Sequence, residues 1–430
     1  MITGLGIISP IGSTRQAVWD SVSRGASGVG PLESLPGDAF PMGFAGEVRD
    51  FTGAIGDFGP LEGPLKKAVR KGLKVMCREI QMGIAAAFLA LNEADIDKAA
   101  YEPDRRGVVY GSDFILSLPQ DLAAGMQRCI SEGRTFHFER WGEEGMSEMN
   151  PLWLLKYLPN MPACHIAIFH DLQGPSNSIT QREASANLAI AEARSTIARG
   201  HAEMMVVGAT GTRIHPMKTI HSIQQEEIAA NGRPASQASR PFDRDRQGMV
   251  VGEGAGAVVL EELESARARG AKILAEVVGS GSSSVADTNF VARRDVALAN
   301  AMRAALSDAG VSPEEVGHIH AHGLSTRTSD IDEAKAIRQV FAERADKTPV
   351  VAAKSYFGNL GAGGGLVELI ISLLALQQGS LPPILNYETP DPECPVCAVT
   401  TLDTAPGDGF LNLSVTPQGQ ASCVMVRRFE

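Results

Sequence analysis

Short apolar runs alternate with longer segments of helical spacing along the whole of this 430-residue chain, and no other feature constrains its fold as much. A strand covered by helices on both faces reads as a continuous apolar run bounded by turn residues. Such runs stand at ITGLGIISPIG near the N-terminus, RGVVYGSD (106–113), EMMVVGAT (203–210) and GEGAGAVVLEEL (252–263). Further strands are expected at 271–281, 318–322, 412–415 and 422–428. Helices are expected between them: 14–24, 71–94, an Ala-rich one from Ala184 closed by Gly200, 296–310, 330–342 and 364–378. Ser312-Pro313-Glu314-Glu315 reads as a helix start, with a cap, an N1 proline and first-turn acids. Residues 25–64 read as an extended loop region, and 126–162 as an excursion crowded with Met, Trp and Pro. The pattern predicts a layered α/β protein.

The length suits either two to three ordinary domains or one large α/β body with a duplicated core. Forty-five glycines against 5% aromatic residues point to close helix–sheet packing with many tight turns. A net charge of −11 argues against nucleic-acid binding by phosphate neutralisation, though a local basic patch remains compatible with acidic partners. No apolar run reaches the ~18 residues of a membrane span; the longest, near 366–376, is interrupted by Glu368. The N-terminus has no signal-peptide pattern, and six scattered cysteines read as reduced thiols, so a cytoplasmic location is expected. Cys394 and Cys397 form a lone CPVC in a Pro-rich stretch and read as loop thiols. His318, His320 and His322 alternate and so face one side of a strand, the pattern of a metal site. The alternative is that His322 alone lies at the cleft end, and no metal is expected because no Cys or carboxylate is placed to complete a site. GEGAG lacks the strand–turn–helix setting of a nucleotide loop. Arg70, Lys71, Lys74 and Arg78 read as a basic stripe on one helix.

The block SRPFDRDRQGMVVGEGAGAVVLEELESARARGAKILAEVVGSGSSS (239–284) closely resembles elongating β-ketoacyl-acyl carrier protein synthases of the thiolase superfamily. MNPLWLLKYLPNMPACHIAI (149–168), Gly174-Pro175-Ser176, HIHAHGLSTRTSDIDEAKAI (318–337), AAKSYFGNLGAGGGLVELI (352–370) and LPPILNYETPDPEC follow in the family's order, so the resemblance spans nearly the whole chain. It implies the thiolase fold: a five-layer αβαβα sandwich of two similar halves, 1–262 and 263–430. It also implies a dimer in which the segment 203–207 pairs with its symmetry mate. The implied substrate carrier is the phosphopantetheine arm of an acyl carrier protein, with no other cofactor. Arg70, Lys71 and Lys74 would lie near the mouth of the pantetheine tunnel as a carrier-protein contact.

The departures from the family pattern bear on activity. The resemblance places a nucleophilic cysteine at a helix N-terminus, where dipole and backbone N–H groups favour the thiolate. That position is Glu183, preceded by Gln181 and Arg182 where small residues are usual. The first family histidine is kept as His322, the second is replaced by Asn359, and the lysine is kept as Lys354. The acidic positions of the histidine loop are kept as Asp330 and Glu333. The family's GFGGTN loop reads VTPQGQ (415–420), and of two pantetheine-binding threonines one is Leu324 and the other Thr326. A carboxylate cannot replace a thiol in transthioesterification, so ordinary condensation is not expected. Two classes follow. One is a chain-length-factor-like partner of an active ketosynthase, as homodimer or heterodimer. The other is an enzyme using Glu183 and His322 as an acid/base pair for hydration, dehydration, isomerisation or decarboxylation of carrier-bound chains. Glu183 is expected to be ionised, hydrogen-bonded to His322 or Asn359, with Lys354 in reach.

Overall fold

The structure, a computed structural model, describes residues 1–36, 40–97 and 100–429. Residues 37–39 of the expected loop region lie outside the described residues. The N-terminal sheet contains β1 (Ile2–Ile8), β2 (Arg106–Ser112), β3 (Ser176–Ile179), β4 (Met204–Thr212) and β5 (Glu253–Glu261), ordered β1-β5-β4-β2-β3. The C-terminal sheet contains β6 (Glu276–Ser284), β7 (His318–His320), β8 (Val350–Val351), β9 (Gly409–Val415) and β10 (Gln420–Arg427), ordered β8-β7-β9-β10-β6. Counted within its own sheet, each series reads third, second, fourth, fifth, first. Strand senses match as well. The first strand is antiparallel to the fifth and the fifth to the fourth, whereas the fourth, second and third are parallel.

Helices make the other three layers: α1 (Arg78–Ala94), α2 (Met161–His170), α3 (Ser185–Ala198), α4 (Arg294–Ala309), α5 (Arg327–Phe341) and α6 (Gly364–Gln378). α1 and α2 cover the outer face of the first sheet, α4 with α5 beside it covers that of the second, and α3 and α6 lie between the sheets. This is the five-layer αβαβα sandwich of the thiolase fold. The glycines of the first strand in each sheet show why the layers fit. A Cβ on Gly4 or Gly6 would come within 2.3 or 1.9 Å of the Ala90 or Ala86 carbonyl of α1. Likewise, a Cβ on Gly279 or Gly281 would come within 2.3 or 2.2 Å of the Ala305 or Ala301 carbonyl of α4. Glycine on the strand facing alanine on the helix lets two backbones touch, once in each half. The helical stretch Gly361–Gln378, which takes in α6 and the turn before it, is long and apolar enough to cross a membrane by composition, yet 89% of it is buried inside the protein.

Four sequence expectations change. The helix expected over 71–94 is interrupted: a helix over Gly63–Gly72 gives way to a turn, Leu73–Val75, and α1 begins at Arg78. Met76 turns extended there, which lets Val69 and Met76 both enter the core. The Ser312 start yields one capped turn, Pro313–Glu315, rather than a helix. The strand expected over 318–322 stops at His320. Finally, 203–207 cannot pair with a symmetry mate. β4 is bonded on both sides, by β2 and β5, and the strand at the sheet edge is the exposed to half-buried β3.

Candidate active-site cleft

Glu183 sits in a tight turn, Arg182–Ala184, between β3 and the start of α3. The Gln181 N–H donates to Ser185 Oγ at 2.8 Å, which fixes the turn against the helix. The Glu183 side chain is only 3% exposed. Its Oε1 accepts from an Arg213 guanidinium N–H and, at 3.1 Å, from Asn359 Nδ2. Its Oε2 lies 3.4 Å from Arg182 Nε. The other terminal nitrogen of Arg213 donates to the buried Asp113 carboxylate. Arg213 and Asp113 lie just past the C-terminal ends of β4 and β2, so adjacent parallel strands deliver both charges to the turn holding Glu183. Burial pushes the Glu183 carboxyl up, but Arg213, then Arg182 and His322, outweigh it and hold the group far below the usual carboxylate range.

Asn359 is positioned by its backbone: its N–H donates to Val250 O at 2.8 Å and its carbonyl accepts from Gly252 N at 2.9 Å. Its Oδ1 accepts from Gly361 N at 3.0 Å. The side-chain nitrogen is thereby identified as the donor aimed at Glu183.

A second group forms beside the first. Lys354 Nζ donates to His322 O at 2.8 Å, to His322 Nδ1 at 3.2 Å and to the buried Glu368 carboxylate. Because an ammonium only donates, Nδ1 of His322 accepts and Nε2 carries the proton. Burial, then Lys354, push His322 well below its ordinary pKa, so the ring is neutral. The loop itself hangs on Glu333, whose two oxygens accept from the N–H groups of His322 (2.6 Å) and Gly323 (2.8 Å). Asp330 does the same for Ser325 N (3.1 Å) and Phe242 N (2.8 Å).

The expected residues thus meet, but in two groups. Glu183 bonds Asn359 and no hydrogen bond joins it to His322, while Lys354 serves His322 and Glu368 instead of Glu183. Thr326 is fully buried and its hydroxyl caps α5, accepting from Ser329 N at 3.3 Å. Leu324 packs into an apolar cluster with Met42, Phe44 and Val250. The basic stripe is not on one helix. Arg70 and Lys71 end the helix Gly63–Gly72, Lys74 lies in the following turn, and Arg78 opens α1, where it is committed to Glu253. Arg70, Lys71 and Lys74 are exposed.

The other two histidines form a wire of defined polarity. His318 Nδ1 must donate to Pro406 O at 2.8 Å, so its Nε2 accepts from Ser372 Oγ at 3.0 Å. His320 Nε2 accepts from Ala353 N at 3.3 Å, so its Nδ1 donates to Ser372 Oγ at 2.7 Å. Every ring nitrogen of the pair is spent on the fold. Among the described residues, no group of three or more His, Cys, Asp and Glu is placed to hold a metal. All six cysteines are free, and Cys394 accepts from Arg246 at 3.3 Å. VTPQGQ is the tight turn joining β9 to β10, and its Gln418 Oε1 lies 3.4 Å from Arg182 Nη1.

Sequence reasoning missed Arg213, Asp113 and Glu368. Glu368 carried a signal, as the lone charge in the longest apolar run.

Comparison with known proteins agrees with this architecture. The family described as "Beta-ketoacyl synthase, N-terminal domain" matches residues 1–266, and "Beta-ketoacyl synthase, C-terminal domain" matches 274–388. The chain belongs to the β-ketoacyl synthase family. This ketosynthase homologue is 32% identical over 410 residues to 3-oxoacyl-[acyl-carrier-protein] synthase 2 of Synechocystis, covering 95% of its own chain and 91% of that protein. Against the Staphylococcus aureus protein of the same name it is 32% identical over 398 residues, with 92% of each covered. Among solved structures, the ishigamide ketosynthase/chain length factor superposes with a TM-score of 0.83 at 27% identity, covering 100% of this chain and 98% of that one. A type II polyketide-synthase acyl-carrier protein in complex with its ketosynthase bound to the hexaketide gives 0.80 at 26%, covering 100% and 98%. A β-ketoacyl synthase from Burkholderia phymatum gives 0.86 at 26%, covering 100% and 99%. The homologue is therefore a ketosynthase-like protein of fatty-acid or polyketide type.

Proposed function

We propose that this ketosynthase homologue does not condense acyl chains and acts as a chain-length-factor-like partner of an active ketosynthase. The observation that carries the proposal is the state of Glu183. By resemblance it occupies the nucleophile position, yet its carboxylate is clamped by Arg213 and Asn359 and shows no bond to His322. A carboxylate with so low a pKa is a poor base. A neutral His322 whose Nδ1 faces Lys354 has no free lone pair for a proton, so the acid/base reading finds little support.

In this proposal the two halves, 1–262 and 263–430, form one subunit of a cytoplasmic dimer. Exposed apolar side chains on the excursion and on the helix Pro216–Gln225, among them Phe138, Met146, Met217 and Ile220, support a covered face. The exposed edge of β3 takes the pairing role first assigned to 203–207. Arg70, Lys71 and Lys74 offer positive charge to an acyl carrier protein bearing the phosphopantetheine arm, on a body whose net charge is −11.

Intact-mass analysis after incubation with acyl-acyl carrier protein tests the chemistry. No adduct is expected at residue 183, and a stable acyl adduct there would overturn the proposal. Adding the homologue to an active ketosynthase is expected to change the length of the chain released. Unchanged products from a formed complex would refute the partner role.

A further inference from the structure

The residues of the cleft are shut away from solvent: none of Glu183, His322, Lys354 and Asn359 is more than 3% exposed. On one side the half-buried Arg182 lies between Glu183 and the surface. Its Nε faces the Glu183 carboxylate at 3.4 Å. Its Nη1 donates to the Oε1 atoms of two exposed glutamines, Gln225 and, at 3.4 Å, Gln418. The cover over Glu183 on this side is therefore one guanidinium thick. It ties together the turn before α3, the end of the helix Pro216–Gln225 and the turn joining β9 to β10.

Gln225 opens a run of three polar residues, each held by a different element. Glu226 Oε1 accepts from Arg294 Nη1 at 3.4 Å, and the same guanidinium donates to Asp332 at 3.3 Å and to Thr328 Oγ1 at 3.0 Å on α5. Glu227 Oε2 accepts from the Arg327 N–H at 2.9 Å. Met249 supports the run from below. Its N–H donates to Glu227 O at 2.7 Å, its carbonyl accepts from Ala229 N at 3.0 Å, and its Sδ accepts from Asn359 Nδ2 at 2.9 Å. The run thus lies one side chain away from Asn359. Arg182 itself has a φ of 51°, a left-handed backbone that glycine adopts freely and a residue with a Cβ does not. The side chain is present where the backbone favours having none, as at positions whose strain serves a site.

We propose that Arg182 latches the strap Gln225–Glu227 across the mouth of the cleft, so that a phosphopantetheine arm reaches residue 183 only after the Arg182 bonds to Gln225 and Gln418 break. The latch deepens the reading of the cleft given above and rests on its placement of Glu183 at the nucleophile position.

The test puts a thiol behind the latch with Glu183→Cys and follows alkylation of residue 183 by iodoacetamide at about pH 8, read by peptide mass. Buried Cys423 of β10 reports any general loosening in the same sample. Adding Arg182→Gly, which suits the left-handed backbone, is expected to speed reaction at residue 183 about tenfold or more relative to Cys423. Loss of a neighbouring positive charge makes a thiolate scarcer and hence slower, so a faster reaction reports access. Gln225→Ala combined with Gln418→Ala keeps Arg182 and should act in the same direction. The 2-pyridyl disulfide of pantetheine, a reagent the size of the arm, should follow the same order. Should Glu183→Cys fail to fold, Asn359→Cys keeps the contact of Arg182 with Glu183 and carries the same comparison. Equal rates with and without Arg182, or rates that rise only in step with Cys423, would overturn the latch. The partner role is read separately, from the chain length an active ketosynthase releases. Rapid alkylation of the Glu183→Cys protein with altered chain length would sink the latch alone, and slow alkylation with unchanged products the partner role alone.

Discussion

At Glu183 the balance of forces is visible in one side chain. Taking a carboxylate out of water is unfavourable, and the guanidinium groups of Arg213 and Arg182 do most to reverse the sign. Glu183→Gln removes one charge from a buried pair and leaves Arg213 with Asp113 alone. A loss of about 3 kcal/mol is expected, in line with breaking a buried ion pair, and chemical denaturation at neutral pH would measure it. The pH dependence has a definite sign. A carboxyl whose folded pKa is depressed adds stability above its unfolded value near 4.5, and loses it as pH falls toward the folded pKa. Glu183→Gln should therefore flatten the acid limb of the stability profile. A variant as stable as the wild type, with an unchanged acid limb, would show that the ion pair contributes nothing. The sequence motifs made Glu183, His322, Lys354 and Asn359 legible because each sits at a fixed offset from a recognisable block. Arg213 and Asp113 were not legible. They lie 100 residues apart in sequence, and only the parallel pairing of β2 with β4 brings them together.

Among elements, the loop after β7 carries the heaviest dependence on one residue. Glu333 of α5 accepts two backbone N–H groups with its two oxygens. Glutamine has the same shape but only one acceptor, so Glu333→Gln turns an amide N–H₂ toward a buried N–H. The expected cost is about 1–3 kcal/mol, read as a lower midpoint in urea. Its pH signature is opposite to that of Glu183. Burial raises Glu333 to about 7, so ionising it costs stability as pH rises from the unfolded value near 4.5 through 7. The glutamine variant should lose that decline; a wild-type slope between those limits would place the titration elsewhere. Element types were mostly evident from apolar periodicity, whereas ends and breaks were not. Gly72 and Met76 stop a helix that the periodicity alone would carry through, because it is tertiary burial of Val69 and Met76 that fixes the break.

For the whole molecule, the alternation of apolar strands with helices made a layered α/β protein legible, and the five-layer arrangement was legible only through the resemblance carried by the motif blocks. What the chain does not spell out is which strand meets a partner. Strand order decides that, and strand order is a property of pairings distant in sequence. The dimer proposed here should bury more than about 2,000 Å² in total, as obligate dimers do. Light scattering at micromolar concentration, on the homologue alone and mixed with an active ketosynthase, checks it. A mass of 45.5 kDa in both samples would refute it.

The paired glycine seams also bear on how the molecule comes apart. Gly6 against Ala86 and Gly281 against Ala301 are the same joint built twice, one in each half. Gly6→Ala and Gly281→Ala should each force the backbones apart at a cost of about 1–3 kcal/mol or more. Because both sheets share the core through α3 and α6, the damage should not stay local. Each variant is expected to melt in a single transition, lowered to a similar extent whichever half was altered. Two separate transitions, with only the altered half shifted, would mean that the repeat still unfolds as two ancestral units.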